Sequence, residues 1–242
     1  MLITNAILLN IFSKAGRLDE RDAAAIADLP SREILFRRDM DVSPDIETVF
    51  VLLEGWVCGY KLLGDGERQI CSIHIAGDVP DLRRLLLMSS DLEYRTLSHC
   101  RIGLVPAQLL RDFFGRSAAI PRAVLREVSI SAGIAEEWVA NIGGRRAISR
   151  VAHLLCELVC RLDAARGAAQ STYAIPLTQT DLGDATGLST VHVNRVLQQL
   201  RSRRLLELNG GQLSILDRQR LAEVAGFNHK YLHIAGASLG WH

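Results

Sequence analysis

The chain has 242 residues, of which 48% are hydrophobic and 23% are charged. This is the composition of a globular protein, and the length suffices for one or two domains with buried cores. No apolar run approaches the roughly 18 residues that a membrane-spanning helix needs. The apolar N-terminus lacks the basic region and cleavage site of a signal peptide, so we expect a cytoplasmic protein without a membrane segment.

The net charge of +1 conceals an asymmetry between the two parts of the chain. Residues 1–144 carry 16 Lys and Arg against 20 Asp and Glu, a net charge of −4. Residues 145–242 carry 12 against 7, a net charge of +5. The asymmetry predicts two domains, of which the second is suited to binding a polyanion.

The cysteines are odd in number and include no CxxC pair, which argues against a zinc site and against a disulfide framework. We expect them to be small buried side chains in a reducing compartment. Cys156 and Cys160 lie one helical turn apart, and a thiol-sensor role for this pair is an open alternative to core packing.

Residues 4–28 predict a short helical lead-in, and short apolar runs separated by turn signals follow from about residue 34 to residue 107. The sharpest turn signal is Gly64-Asp65-Gly66, where glycine can supply positive φ between two strands. Several short strands at this spacing, without intervening helices, predict an antiparallel β-roll. We place this β-roll in a first domain, residues 1–116.

After residue 117 the apolar residues recur at helical spacing, which predicts one long helix over residues 117–143. A second apolar stripe runs through Ile130, Ile134 and Trp138. Two apolar faces need two partners, so we expect the β-roll on one face and the same helix of a second subunit on the other. Gly143-Gly144 predicts the end of this helix. The residues of the predicted dimer stripe are Leu125, Val128, Ala132, Ala135 and Val139.

Residues 177–206 predict two helices joined by a tight turn. Thr178, followed three residues later by Asp181, resembles a capping box, and Gly187 is expected to end the first helix. The second helix has an apolar stripe at helical spacing, formed by Val193, Val196, Leu197 and Leu200. Asn209-Gly210-Gly211 between two β-rich runs predicts the hairpin of a wing. Residues 144–242 therefore predict a winged helix-turn-helix domain, and the fold class of the whole chain is α+β.

The polar face of the second helix predicts contacts with double-stranded DNA. Arg195 can donate two hydrogen bonds to guanine, Asn194 can pair with adenine, and Val191 can contact only a thymine methyl group. The candidate base-reading residues are Thr190, Val191, His192, Asn194 and Arg195. The candidate contacts to the DNA backbone are Thr178, Gln179, Thr180, Ser189, Arg201 and Arg203. The structural alternative for Arg195 is an ion pair with Asp181 or Asp184.

The chain resembles the Crp/Fnr family of bacterial transcription regulators over nearly its whole length, most specifically in GLSTVHVNRVLQQLR. Arg195 matches the base-reading arginine of that family. The glutamate that accompanies this arginine in well-known members falls on Val191, so the resemblance implies a different target sequence. It also implies a homodimer on an inverted-repeat operator, a β-roll sensor domain similar to a cyclic-nucleotide-binding domain, and a contact with RNA polymerase.

The resemblance argues against cyclic AMP as the effector. Members that bind it follow Gly-Asp with a Gly-Glu pair and later an Arg-Ser pair, whereas this chain has GDVPDLRRL and then Ser89-Ser90-Asp91. A tentative effector pocket consists of Gly77, Asp78, Arg83 and Arg84, and its effector is unknown. The iron–sulfur members use an N-terminal cysteine cluster, but no cysteine precedes Cys58 here. We therefore expect no iron–sulfur cluster. Heme bound through His74 or His99 is an open alternative, but isolated histidines in a strand region are more often ordinary core or surface residues, so we expect no cofactor and no metal.

Two other functions are compatible with the sequence. The β-roll could be a cupin-like small-molecule-binding or metal enzyme with a C-terminal interaction domain, but His74 and His99 alone fall short of the usual ligand cluster. We expect no enzymatic activity. Alternatively, the sensor domain needs no ligand and activity follows the expression level.

Overall fold

The structure is a computed structural model that describes residues 1–14, 16–43, 45, 47–64, 66–87 and 91–234. The chain forms two compact units, Met1–Lys61 with Ser72–Ser131 and Leu62–Cys71 with Ala132–His242. The predicted domain limits at residues 116 and 143 differ from this division and stay predictions. Among the described residues, none of the helices combines the length and the hydropathy that crossing a bilayer requires.

The first unit contains most of an antiparallel β-roll, as the turn-punctuated apolar runs predict. One sheet has the order β1-β6-β2 and the other the order β4-β3-β5. The strands are β1 (Arg32–Phe36), β2 (Thr48–Glu54), β3 (Trp56–Leu62), β4 (Arg68–Ile75), β5 (Glu93–Thr96) and β6 (Cys100–Pro106). The helices are α1 (Ile3–Ser13), α2 (Glu20–Ala27), α3 (Arg84–Leu87) and α4 (Ala107–Arg111).

The strand residues alternate between two apolar clusters. Phe50 and Leu52 of β2 pack with Tyr94 and Ile102, while Val51 and its alternate neighbours on β2 face a second cluster that contains α1 and α4. This alternation follows from the two-residue side-chain period of a strand, and it explains why β2 is apolar at successive positions.

The predicted turn between β3 and β4 is confirmed, with a positive φ of +83° at Gly66 and not at Gly64. The Leu63 amide donates to the Glu67 carbonyl at 2.8 Å, and the Gly66 amide donates to the Leu63 carbonyl at 2.9 Å. Asp65, which completes the predicted turn motif, lies outside the described residues. We call the segment Leu62–Cys71, which belongs to the second unit, the arm.

A single helix, α5 (Ala119–Gly144), follows with 26 residues, so Gly143 and Gly144 form its last turn and do not precede its end. The two predicted stripes differ in exposure. Trp138 of the second stripe is buried, whereas Leu125 and Val139 of the predicted dimer stripe are 54% and 73% exposed. Ala132 and Ala135 of that stripe are exposed as well, and Val128 packs partly against the first unit's core.

The second unit contains the predicted winged helix-turn-helix. Its sheet has the order β7-β9-β8. Gly210 and Gly211 form the turn between β8 and β9 with φ values of +55° and +77°, as expected for a two-residue hairpin loop. The elements are α6 (Ala147–Arg166), β7 (Thr172–Ala174), α7 (Gln179–Thr186), α8 (Thr190–Ser202), β8 (Leu206–Asn209), β9 (Gln212–Ile215), α9 (Arg218–Ala225) and a 3₁₀ helix (His229–Leu232).

Some polar side chains of α6 are buried where this helix packs against other elements of the second unit. The fully buried Glu157 carboxylate accepts hydrogen bonds from Trp138 Nε1 at 3.0 Å and from the Tyr231 hydroxyl at 2.9 Å. Cys156 and Cys160 are also buried, and burial raises the pKa of the Cys160 thiol to about 12. A thiol that is buried and protonated is a poor nucleophile, so this geometry favours a packing role over a thiol sensor.

Candidate nucleic-acid interface

The predicted capping box at the start of α7 is confirmed. Thr178 Oγ1 accepts a hydrogen bond from the Asp181 amide at 3.0 Å, and Asp181 Oδ2 accepts from the Thr178 amide at 2.9 Å. Both bonds satisfy amides that have no partner within the helix, which fixes the position where α7 begins.

The turn between α7 and α8 depends on two glycines. Gly187 ends α7 with a φ of +64°, a conformation that glycine adopts without steric cost. A Cβ atom at Gly183 would lie 2.5 Å from the Leu188 carbonyl oxygen. The Leu188 amide donates to the Gly183 carbonyl at 3.1 Å. Only glycine at position 183 permits this close approach, and Ser189 then caps α8 by accepting from the His192 amide.

The two faces of α8 are separated as the sequence predicts. Val193, Val196, Leu197 and Leu200 are buried. The opposite face is exposed, including all five candidate base-reading residues, and Val191 is 71% exposed.

Arg195 and Asn194 have different surroundings on this face. Arg195 is exposed and forms no hydrogen bond or ion pair with any residue that the structure describes. Asn194 Nδ2 donates to Oε1 of Gln179, on α7, at 3.3 Å. Thr178, Thr180 and Ser189 are exposed at the starts of the two helices and Gln179 is half-buried. The structure therefore brings one candidate base-reading residue, Asn194, into contact with one candidate backbone-contacting residue, Gln179.

The two candidate phosphate-binding arginines at the end of α8 also differ. Arg201 Nη2 donates to Asn209 Oδ1 in the wing at 2.8 Å, whereas Arg203 is exposed and has no side-chain partner among the described residues. Arg201 therefore stabilises the position of the wing relative to α8.

The structural alternative for Arg195 is wrong, because Asp181 and Asp184 pair with a different arginine. Arg68 Nη2 lies 2.8 Å from Asp181 Oδ1 and 2.7 Å from Asp184 Oδ2. Sequence reasoning missed Arg68, and nothing in the local pattern of the arm points to a partner more than a hundred residues away.

The residues of the tentative effector pocket lie near one another in sequence but are engaged by the protein itself. Arg83 Nε and Arg84 Nε donate to the two carboxylate oxygens of Asp81, at 2.7 and 2.8 Å, and the Asp81 side chain is 0% exposed. Gly77 has a φ of +97°, and Asp78 Oδ2 accepts from the Ile75 amide at 2.9 Å. Sequence reasoning missed Asp81, although its spacing to both arginines was a usable signal.

Asp91 also takes part, since its Oδ1 lies 3.5 Å from Arg83 Nη2. Ser89 and Ser90, which stand beside it in the sequence, lie outside the described residues. His74 contacts Ser72 Oγ at 3.0 Å and His99 is exposed. Among the described residues, no group of three or more His, Cys, Asp or Glu side chains is arranged to hold a metal ion.

Comparison with known proteins adds family relationships to this geometry. Residues 149–224 match the model of the Crp-like helix-turn-helix domain. The fumarate and nitrate reduction regulatory protein of Vibrio cholerae is 22% identical over 75% of this chain and 72% of its own length. The transcriptional activator protein FnrA of Stutzerimonas stutzeri is 24% identical over 86% of each chain. The structure of FixK2 from Bradyrhizobium japonicum aligns with a TM-score of 0.68 and 28% identity, over 81% of this chain and 98% of that one.

Proposed function

The chain belongs to the Crp/Fnr family of bacterial transcription regulators, and from this premise we propose that its homodimer reads an inverted-repeat operator through the exposed face of α8. The observation that carries the proposal is Arg195. It stands exposed on a polar face, without a partner among the described residues, directly opposite the buried stripe of the same helix.

Base recognition follows from the chemistry of this face. The Arg195 guanidinium can donate two hydrogen bonds to guanine O6 and N7, a contact worth about 1–3 kcal/mol of discrimination against the wrong base. Asn194 can pair with adenine, and its hydrogen bond to Gln179 orients the amide before DNA binds. Val191 offers only a methyl contact. Thr190 and His192, which are exposed in the first turn of α8, complete the set of candidate base contacts.

Contacts to the DNA backbone would set the register of α8. Thr178, Gln179 and Thr180 lie at the N-terminus of α7, where amides and the helix dipole favour an anion. Ser189 has the same position on α8, and Arg203 supplies a positive charge at its end. Phosphate contacts position the protein without reading sequence, which leaves specificity to the α8 face.

The dimer stripe of α5 is the expected contact between the two copies. Leu125, Ala132, Ala135 and Val139 recur at helical spacing and are exposed in the single chain, and a second copy of the same helix is the occupant that a two-fold axis provides. Two recognition helices would then enter successive major grooves about 34 Å apart.

The β-roll is the proposed sensor. An effector other than cyclic AMP fits it best, because Asp81 already binds Arg83 and Arg84 and offsets part of the positive charge that an anionic ligand would need. A contact with RNA polymerase and a cytoplasmic location follow from the proposed role in transcription.

Selection of bound duplexes from a randomised pool tests the proposal. The unmodified protein should enrich a palindrome whose half-sites lie one helical turn apart. Arg195→Ala should bind that palindrome about 10- to 100-fold more weakly and should tolerate substitutions at the base pair it reads. Arg220→Ala, which removes the same charge from an exposed position on α9, is the matched control and should bind normally. Equal operator affinity of Arg195→Ala and the control would contradict the proposal.

A further inference from the structure

The arm contacts α7 through an arginine that binds two carboxylates at once. Arg68 Nε donates to Asp184 Oδ2 at 2.8 Å, and its Nη2 donates to Asp181 Oδ1 at 2.8 Å. The next residue adds a third bond, from Gln69 Nε2 to the Asp184 carbonyl at 2.6 Å. The side chains of Arg68 and Asp181 are 17% and 5% exposed, so water competes little for this contact.

Asp181 is shared between the capping box and Arg68. Its Oδ2 accepts from the amide and the hydroxyl of Thr178, and its Oδ1 accepts from Arg68. Desolvation raises the pKa of this carboxyl, but the hydrogen bonds from Thr178 and Arg68 outweigh it and lower the pKa overall. Arg68 therefore acts on the residue that determines where α7 begins, close to the proposed phosphate contacts at Thr178 and Thr180.

The charge of Arg68 also matters at this place. Asp181 and Asp184 put two carboxylates on the helix whose N-terminus is expected to approach DNA phosphates. Without a cation beside them, these carboxylates would oppose the binding of a polyanion. Arg68 offsets one of these two negative charges while the α8 face, including Arg195, stays exposed. The contact is therefore compatible with DNA binding and supports it electrostatically.

We propose that Arg68 is a positioning residue for operator binding, which holds α7 in its DNA-binding orientation and compensates part of the negative charge of its two carboxylates. The inference rests on the proposed function of the α7–α8 motif. Arg68 is the first residue of β4, and the same strand continues to Ile75 of the β-roll. Arg68 and Gln69 therefore belong to the same strand as residues of the β-roll, while their own contacts with α7 are an ion pair and hydrogen bonds.

The test compares operator affinity in Arg68→Ala, Asp184→Asn and the double variant, all as full-length dimers. Arg68→Ala should weaken binding about 5- to 50-fold, within the range of typical coupling energies between sites. The double variant should recover part of that loss, because one uncompensated carboxylate is removed with the arginine. Lys61→Ala on β3, which breaks an exposed ion pair between Lys61 and Asp91, is the control and should leave affinity unchanged.

Salt dependence separates positioning from a direct phosphate contact. If Arg68 acts through α7, its removal only leaves the two carboxylates less compensated, so the slope of log affinity against log salt should change by clearly less than the one unit expected for a lost phosphate contact. A slope reduced by about one unit would mean that Arg68 itself binds a phosphate, and would overturn the proposal. Unchanged or tighter operator binding by Arg68→Ala would overturn it too.

Two further comparisons keep the test decisive. If Arg68→Ala does not fold, Gln69→Ala replaces it in the test. This variant removes the hydrogen bond from an uncharged side chain to α7. It should weaken operator binding about 3-fold, which corresponds to a small coupling energy, without changing the salt slope. Normal affinity of that variant would then overturn the proposal. If the unmodified protein enriches no operator at all, the proposed function fails by itself, before any variant of the arm is compared.

Discussion

Arginine side chains have opposite surroundings in the β-roll and on α8. Arg83 and Arg84 both bind the buried Asp81 carboxylate, and Arg84 also donates to the Asp45 carbonyl at 3.4 Å. Arg195 has no partner among the described residues and is exposed. The residue type alone suggests an anion site in both regions. The counter-ion decides between them, because an arginine that already has a buried carboxylate has little left to offer a ligand.

Removing the Asp81 carboxylate should produce the largest effect. Asp81→Asn keeps the size of the side chain and tolerates the observed φ of +59°. It leaves Arg84, whose side chain is 8% exposed, without its buried counter-ion, which should lower the free energy of unfolding by about 3–5 kcal/mol. Denaturant titration measures the change.

Added inorganic phosphate provides a second test of whether Asp81 occupies the two arginines. Added inorganic phosphate should restore part of the stability of Asp81→Asn and leave the unmodified protein unaffected, because only the variant has arginines available for an anion. Asp91→Asn is the matched control. Its side chain is 68% exposed, so removing its charge should lower the free energy of unfolding by less than about 1 kcal/mol. An Asp81→Asn protein as stable as the control would show that the carboxylate is not the partner that matters.

A buried histidine of the second unit provides a third case, in which burial favours the uncharged form of the side chain. Desolvation, with a contribution from Arg145, lowers the pKa of His153 from 6.5 to about 4, although Glu137 opposes the change. Between these values the unfolded chain binds more protons than the folded one. The contribution of His153 to stability is therefore complete above about pH 6.5 and is lost as the pH falls towards 4.

The expected loss for His153 is about 2–3 kcal/mol over this pH range. Glu157 acts in the opposite direction, because burial raises the pKa of its carboxyl, so the comparison must be made between variants. His153→Gln cannot take up the proton and should lose stability less steeply between pH 6.5 and pH 4. Parallel unfolding curves for the two proteins would contradict a neutral buried His153.

The features that the sequence predicts well are those with local causes. The capping box of Thr178 and Asp181, the left-handed Gly187 and the glycine turn of the wing each depend on a few neighbouring residues, and each is found where the pattern places it. The buried stripe of α8 also follows from spacing alone. The antiparallel β-roll could be predicted for the same reason, since turn signals and two-residue alternation mark its strands.

Long-range charge pairing could not be predicted in this way. Arg68 meets Asp181 across 113 positions of sequence, and no periodicity connects the two. Glu157 lies within the apolar face of α6 and finds donors in Trp138 and Tyr231, which belong to other elements. Asp81 is a different case, because it lies two and three residues before the arginines it binds. Such a short spacing between a carboxylate and two arginines is a local signal, so this pairing could be predicted from the sequence.

The smallest expected effect lies at the end of α8, where the same comparison can be made between two arginines of one helix. Arg201 donates to Asn209 in the wing, whereas Arg203 has no side-chain partner among the described residues. If a cation without a counter-ion is the one available to phosphate, Arg203→Ala should weaken binding to all duplexes alike and reduce the salt slope by about one unit.

Arg201→Ala should behave differently from Arg203→Ala, because its guanidinium is already bound to the wing. We expect an effect on the stability of the wing, about 1 kcal/mol for one exposed hydrogen bond, and a smaller change in salt slope. Affinity measured on operator and on random duplex at several salt concentrations distinguishes the two variants. Equal salt slopes for the two variants would mean that phosphate displaces Asn209 from Arg201 when DNA binds. A neutral partner such as Asn209 would then leave an arginine available to DNA, whereas the charged Asp81 carboxylate does not.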